Sequence, residues 1–551
     1  MTAYNPAAYQ AYLEREFTYL AGFRRNTRRY RTNVAFRDPS TGTTLTYAEL
    51  GDRVDRLATG LADAGVAPGD VVVYQLYNGL EFALLYLAAQ ACGAIGSPIN
   101  YRLAAGEIAY VLDDSRPAAF IFDTELAEQA GAALALASSQ PKLVVTVGGG
   151  SPPSGAIRFD DVFAETARPL PGTVSTWAET TRLYTSGTTG MPKGVPLNSL
   201  VEVFTAHDVI MHFPLSPEDR TLNMTPWFHR GGLYSGGPNP VFYAGGGVVP
   251  MRAFDPERCL DLVEQEGVTF LIGAPTNLAL LAAAQTGKPR DMSSLRGVIT
   301  MGAPLERAAC LHYQEVLTPR IFNGYGTTEA FWNTFLRPSD LPDHAGSAGR
   351  ACTDDDVAVV KVYDDRLAAP TDHVAPDGAE VGEVIVRSPK CGLAYANSPE
   401  QEAAKFHQGW LYIGDLATWD ADEFVTIVGR KDDMIISGGE NVHPSQVEEA
   451  LNEHPGVSDS LVVGVPDPKW GQRVVAYVAL GDGGVTVADL ERHCREHPML
   501  ADYKRPRAYR FVEATDLPRT ATGKKMHFRA AEEAASDWDA GLFESTERLD
   551  A

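Results

Sequence analysis

The segment best equipped for chemistry is a lysine set among glycines and hydroxyl side chains: Tyr184-Thr185-Ser186-Gly187-Thr188-Thr189-Gly190-Met191-Pro192-Lys193-Gly194. Glycine lets successive backbone N–H groups turn toward one point, which makes a cradle for an anion. The hydroxyls of Thr185, Ser186, Thr188 and Thr189 add donors, and Lys193 adds charge. The run is not a Walker A loop, since no glycine precedes Lys193 and no Ser or Thr follows it. A plain surface loop is the other reading of such a composition. Four more polar segments follow. They are Asn323-Gly324-Tyr325-Gly326-Thr327-Thr328-Glu329, Gly414-Asp415, Gly429-Arg430-Lys431-Asp432, and Pro518 to Lys524. Taken singly, Glu329 reads as a carboxylate at a helix N-terminus, Asp415 as a turn residue, and Lys524 and Lys525 as surface charges.

These segments need a scaffold, and the surrounding pattern predicts an α/β one. Thr46-Tyr47-Ala48-Glu49 has capping-box spacing, and Leu50, Val54, Leu57 and Leu61 then mark one helical face. Gly65 ends that helix, Val71 to Tyr77 reads as a buried strand, and Glu81 to Cys92 is helical again. Such alternation builds βαβ units with a mostly parallel sheet. Another β-branched strand falls at Val268 to Ile272. Gly148 to Gly155 reads as a surface loop. Beyond Arg430 the pattern changes. Ser445-Gln446-Val447-Glu448 has capping-box spacing, strands fall at Ser460 to Val465 and Arg473 to Leu480, a helix at Val487 to Arg495, and a strand at Ala508 to Val512. This predicts a small α+β domain.

The formal charge of −24 argues against a nucleic-acid partner, because phosphate backbones select basic faces. The six cysteines are scattered without a CxxC pair or a His-bearing metal pattern, and read as thiols of a reducing compartment. The first 17 residues lack a basic start and an apolar run, and no apolar stretch is long enough to span a bilayer. The expected location is the cytoplasm. A homodimer is left open.

In their order along the chain the five polar segments resemble the signatures of adenylate-forming enzymes: acyl-CoA synthetases, aryl-CoA ligases, luciferases and peptide-synthetase adenylation domains. The resemblance covers nearly the whole chain and is greatest to bacterial aryl-CoA ligases of the halobenzoate-CoA ligase type. It implies a large multi-layer N-terminal domain of parallel-rich sheets over residues 1–429 and a small mobile α+β domain over 430–551, with the active site at their interface. It also implies a two-step reaction. A small carboxylic acid and ATP give acyl-AMP and pyrophosphate; acyl-AMP and coenzyme A then give the thioester and AMP.

The roles follow from the matched positions. Thr185, Ser186, Gly187, Thr188, Thr189 and Gly190, with Lys193 and Thr328, would hold phosphate, and Glu329 would hold Mg²⁺. Gly302-Ala303-Pro304 and Asn323 to Thr327 would flank AMP, with Tyr325 on adenine. Asp415, assisted by Arg430, would accept from the ribose. Lys524 would bridge the attacking carboxylate and the phosphate, then leave as the small domain turns about Asp432. Gly438 and Gly439 would line the thiol's tunnel, while Trp470, Tyr503, Arg505 and Arg102 would hold the CoA nucleotide.

The acid pocket would be lined by Phe228, His229, Met301, Phe331 and Trp332. Bulky groups there shorten it, so the expected substrate is a compact aromatic or alicyclic acid. The segment Pro226 to Gly232 lacks the Asp that pairs with an amino-acid ammonium, and no carrier domain with a pantetheine serine is visible. Both point to a free thiol. The rivals are a medium- or long-chain fatty acid–CoA ligase, an enzyme loading a carrier protein, a luciferase-like oxygenase and a degenerate nucleotide-binding protein.

Overall fold

The computed structural model describes residues 5–150, 152–172, 175–185, 192–363, 366–392, 394–437, 440–468, 470–481, 484–497, 500, 502–519 and 523–546. The chain packs into two units. The first comprises residues 1–343, 351–356 and 386–411; the second comprises 344–350, 357–385 and 412–551. The pair of strands ending at Arg430 packs with the second unit, whereas the sequence reading placed the division at 429/430.

Two sheets build the first unit. One runs in the order Phe331–Leu336, Ile321–Thr327, Gly297–Met301, Phe270–Gly273, Arg220–Asn223, Gly247–Val248, Val34–Asp38 and Thr43–Thr46. Its central strands are parallel, and only the outer hairpins reverse. The other sheet runs Ile157–Arg158, Leu143–Val147, Ala119–Asp123, Val71–Gln75, Ile95–Pro98, Glu179–Thr185 and Lys193–Asn198. It is parallel up to its last, antiparallel pair. Parallel sheets need cover on both faces, which is why Val71–Gln75 is buried at every position.

Local signals set the helices. Thr46 accepts from the Glu49 amide while Glu49 accepts from Thr46, so the helix Tyr47–Asp63 starts at its capping box, and Gly65 follows its end at φ +95°. The helix Leu80–Cys92 is buried from Phe82 onward and serves as a central rod of the core. Gly60 meets the Val162 carbonyl so closely that an added Cβ would lie 1.6 Å from that oxygen.

In the second unit the strand Gly471–Leu480 divides two cores. Val474, Ala476 and Val478 face the helices Pro444–Asn452 and Val487–Glu496, while Val475, Tyr477 and Ala479 face the helix His527–Asp539. This is the two-residue period of a strand buried on both sides. The strand Ala508–Val512 pairs parallel with it, and Val457–Asp467 pairs antiparallel.

One expected cap is corrected. Ser445 is not an N-cap; the helix Pro444–Asn452 begins after His443 with no side-chain cap. The Ser445 hydroxyl instead donates to the Val428 carbonyl. Glu448, expected to reach back to the cap, is buried and bound elsewhere.

Candidate active site

In the first unit the phosphate-loop candidate spans the antiparallel pair Glu179–Thr185 and Lys193–Asn198, with Thr185 and Lys193 paired across its base. Ser186, Gly187, Thr188, Thr189 and Gly190 lie outside the described residues. Lys193 sits over the Tyr395 ring at 5.7 Å. The Tyr395 hydroxyl donates to Glu329 Oε1 at 2.5 Å. Burial, and then the Glu329 charge, push the Tyr395 hydroxyl well above its usual pKa, so it stays a donor. Desolvation and Lys405 lower the Lys193 pKa while Glu329 opposes them. A carboxylate and a lysine are thus brought to the two sides of one phenol.

Glu329 is not at a helix N-terminus. It sits on the three-residue turn of the hairpin Ile321–Thr327/Phe331–Leu336, with Thr327 paired to Phe331. Phe331 takes φ +62°, the left-handed residue that closes such a turn, at a position where a bulky side chain is unusual. Gly326 lies against the strand that follows; a Cβ there would be 1.5 Å from the Phe331 carbonyl oxygen. Gly326→Ala should therefore force the hairpin apart. We expect it to cut adenylate formation about 100-fold while the second unit's proteolytic stability is unchanged; activity within twofold of the parent would disprove the tight approach.

The acid-pocket candidates gather at the carboxyl ends of the parallel strands, where open α/β sheets bind ligands. Met301 ends its strand beside Gly324 and packs on Gly231, and Gly302-Ala303-Pro304 follow with Gly302 at φ +86°. Asn323 is buried on the neighbouring strand and Tyr325 is half-buried. His229 is half-buried, its ring 4.2 Å from the Phe228 ring. Burial, then Arg102, push its imidazole down to about 4, so it is neutral at pH 7. Its Nε2 has no hydrogen-bond partner among the described residues. Trp332 is corrected to a core residue. It stacks on Phe331 at 4.8 Å, packs on Phe213 and Phe335, and covers Gly324. Arg102 is exposed beside Tyr101, whose ring meets Phe228.

In the second unit Asp415 and Arg430 are cross-strand partners on Trp410–Trp419 and Val425–Arg430, bonded at 2.6 Å. Asp432 is exposed on the turn that follows. Gly438 and Gly439 lie outside the described residues. Trp470 and Tyr503 are each 41 % exposed. Arg505 is corrected: it is buried against Glu491 and Asp502, which already occupy its guanidinium.

The described residues on either side of Lys524 are tied down. Arg519 pairs with Lys525, Arg519 bonds Asp459, and Lys525 Nζ lies 2.9 Å from Glu448 and 3.2 Å from Asp459. His527 reaches the other Glu448 oxygen at 2.7 Å. Lys525 is therefore no surface charge. Burial raises the Glu448 pKa, but Lys525 and His527 outweigh it and hold the carboxyl at about 2. Burial lowers His527, but Glu448 outweighs it and the imidazole ends above 6.5.

The signs give a window. Glu448, depressed on folding, contributes stability above its unfolded value of 4.5 and loses it as pH falls toward about 2. His527, raised on folding, contributes fully below 6.5 and loses it as pH rises through its folded value. The difference in urea midpoint between the parent and Glu448→Gln should thus be greatest between pH 4.5 and 6.5 and shrink on both sides. A difference independent of pH would remove the ion pairs from the account.

Sequence reading missed Tyr395, Arg230 and Lys390. Arg230 and Lys390 are buried cations with no local motif; Tyr395 stands in a loop whose only signal is an aromatic after Gly392. Asp208, His212 and Cys352 are close enough together to share an ion. Lys390 already lies 2.8 Å from Asp208, however, and Arg337 donates to His212 Nδ1 at 2.7 Å, so these cations take the place of a metal.

The strand pair ending in Thr185 and Lys193 and the carboxylate turn of Glu329 stand beside a mainly parallel sheet, the kind of framework at which α/β enzymes bind ligands. Residues 23–396 match the AMP-binding enzyme family, and residues 446–524 match the AMP-binding enzyme C-terminal domain. A feruloyl-CoA synthase from Amycolatopsis is 36% identical over 488 residues, covering 88% of this chain and 92% of that one. An indoleacetate–CoA ligase from Aromatoleum aromaticum is 34% identical over 484 residues, covering 87% and 91%. The crystal structure of the anthranilate CoA ligase AuaEII with anthranoyl-AMP superposes with a TM-score of 0.85 at 28% identity, over 95% of this chain and 98% of that one. The chain belongs to the AMP-binding enzyme family. It is an AMP-forming acid–thiol ligase of the acyl/aryl-CoA synthetase kind, with ATP and CoA as substrates.

Proposed function

We propose that the enzyme joins a compact aromatic or alicyclic acid to coenzyme A, with Mg²⁺ assisting the first step. The observation that carries this reading is the convergence of Lys193, Tyr395 and Glu329 at the base of the phosphate loop. Two anions must meet when a carboxylate attacks the α-phosphate, so cations must stand where charge develops. Lys193 would steady the phosphates. Glu329 and Thr328 offer hard oxygen donors that suit Mg²⁺, which when bound neutralises phosphate charge. Asp415, oriented by Arg430, would accept from the ribose hydroxyls. Lys524 would bridge carboxylate and phosphate in the first step and give way in the second as residues 430–551 turn about Asp432.

The acid's class is read from the pocket residues. His229 is neutral and has a spare ring nitrogen, and Phe228, Met301 and Phe331 are apolar and buried. A flat or ring-shaped acid fits such a lining better than a flexible chain. The relatives named for ferulate, indoleacetate and anthranilate point the same way. Trp470 and Tyr503 would stack on the CoA nucleotide. Six buried cysteines that form no disulfide suit a cytoplasmic setting, and no described helix is long and apolar enough to cross a membrane.

The test is AMP release with ATP, Mg²⁺ and CoA across benzoates, cinnamates, cyclohexane carboxylates and straight-chain acids. CoA-dependent release that peaks with one ring acid supports the reading. A peak with long-chain acids overturns the acid class, and release only with a carrier protein overturns the thiol.

A further inference from the structure

Arg230 is a guanidinium in an unusual place. It is 3 % exposed and forms no ion pair among the described residues. Its donors go to carbonyls on two separate segments: Nη1 to Thr328 and Nη2, at 2.8 Å, to Lys390. Nη2 also lies 3.4 Å from the Thr205 hydroxyl. The plane stands 5.6 Å from the rings of both Tyr234 and Phe331. Burial lowers its pKa, yet a guanidinium remains charged in any protein. A desolvated cation with no acid is costly to keep, so what it holds needs explaining.

What it holds is the turn bearing Glu329. The Thr328 carbonyl directly precedes Glu329, and the Phe331 ring belongs to the left-handed residue that closes the same turn. The Lys390 carbonyl begins the stretch that reaches Tyr395, the residue bonded to the Glu329 carboxylate. Gly392 completes the frame by donating to the Glu329 carbonyl at 3.0 Å. Lys390 braces it from the other side, since its ammonium donates to the Trp332 carbonyl at 2.7 Å just beyond the turn. The planar fork fixes its donors toward both carbonyls at once; a lysine at position 230 would keep the charge but not that rigid two-point geometry.

We propose that Arg230 is a positioning residue for adenylate formation: its guanidinium ties the Glu329 turn to the segment carrying Tyr395, setting the carboxylate where metal and phosphate need it. This rests on the functional reading above. Because Arg230 acts through the Glu329 turn, its loss should lower the rate of the first step and weaken metal binding while ATP affinity holds.

The test compares Arg230→Lys and Arg230→Met with the parent in the full chain. Three quantities are read: the single-turnover rate of acyl-AMP formation, the KM for ATP, and Mn²⁺ affinity by electron paramagnetic resonance with a non-hydrolysable ATP analogue. We expect R230M to form adenylate about 100-fold more slowly, with Mn²⁺ binding about tenfold weaker and KM for ATP within threefold. R230K, which keeps the charge and is the safer folder, should lose about tenfold in rate. Added guanidinium should partly restore Arg230→Ala. Equal rates and Mn²⁺ affinities in parent, R230K and R230M overturn the proposal. So does a rate loss that vanishes when each variant is assayed at the same interval below its own melting midpoint, because that marks a purely structural residue. A parent that forms no AMP with any acid overturns the functional reading instead, and the Mn²⁺ titration still reads Arg230.

Discussion

Lys524→Ala should slow acyl-AMP formation by about 100- to 1,000-fold, the usual effect of removing one charge from a site where an anion develops. The same variant, given synthetic acyl-AMP and CoA, should make thioester within a few-fold of the parent. The two half-reactions separate because only the first brings two anions together. The neighbouring Lys525 supplies the control: with its ammonium held by Glu448 and Asp459 it cannot substitute for Lys524. Lys525→Ala should weaken the second unit and depress both steps together as the turn loosens. Measuring each half-reaction separately for both variants decides the matter. If Lys524→Ala lost both steps equally, the division of labour assigned to this lysine would be wrong.

The largest stability effect should come from Lys390→Met. The Lys390 ammonium is 1 % exposed and serves Asp208, Asp355 and the Trp332 carbonyl at 2.7–2.9 Å. Burial pushes its pKa down, but Cys352 and the two aspartates outweigh it and keep the lysine charged. Removing one partner of a buried ionic network strands the others, at a cost of about 3–5 kcal/mol. The apparent urea midpoint of the first unit should fall accordingly. Adding Asp208→Asn and Asp355→Asn to Lys390→Met should recover most of the loss, because the stranded charges go with it. A fall of less than about 1 kcal/mol would mean that water or a rearranged neighbour replaces the ammonium.

What the sequence disclosed was local. Thr46 and Glu49 cap a helix because both halves of the interaction lie within four residues. Ala508–Val512 forms its strand as expected from its own residues. What it concealed depends on partners far along the chain. Ser445 and Glu448 have cap spacing, yet tertiary partners from Val428, Lys525 and His527 take them. Arg505 carries the chemistry of a nucleotide contact, and nothing in its neighbours shows that Glu491 will be folded against it. Trp332 and Phe331 are adjacent and aromatic, so spacing alone could not show that Trp332 turns toward Phe213 and Phe335. Arg230 has no local signature, because its partners are carbonyl groups nearly 100 and 160 residues away.

The discontinuity of the first unit has a consequence for how the protein is made. Asp208 and Trp332 leave the ribosome well before Asp355 and Lys390, and residues 357–385, which belong to the other unit, are threaded between them. At about 5–20 residues per second, the nascent chain carries its aspartates without their lysine for several seconds or longer. Chains that stop near residue 385 should be captured by chaperones or degraded, whereas those released beyond Leu411 hold every strand and ion of the first unit. A series of stalled nascent chains, probed by protease, should show protection arriving abruptly once residues 386–411 have emerged.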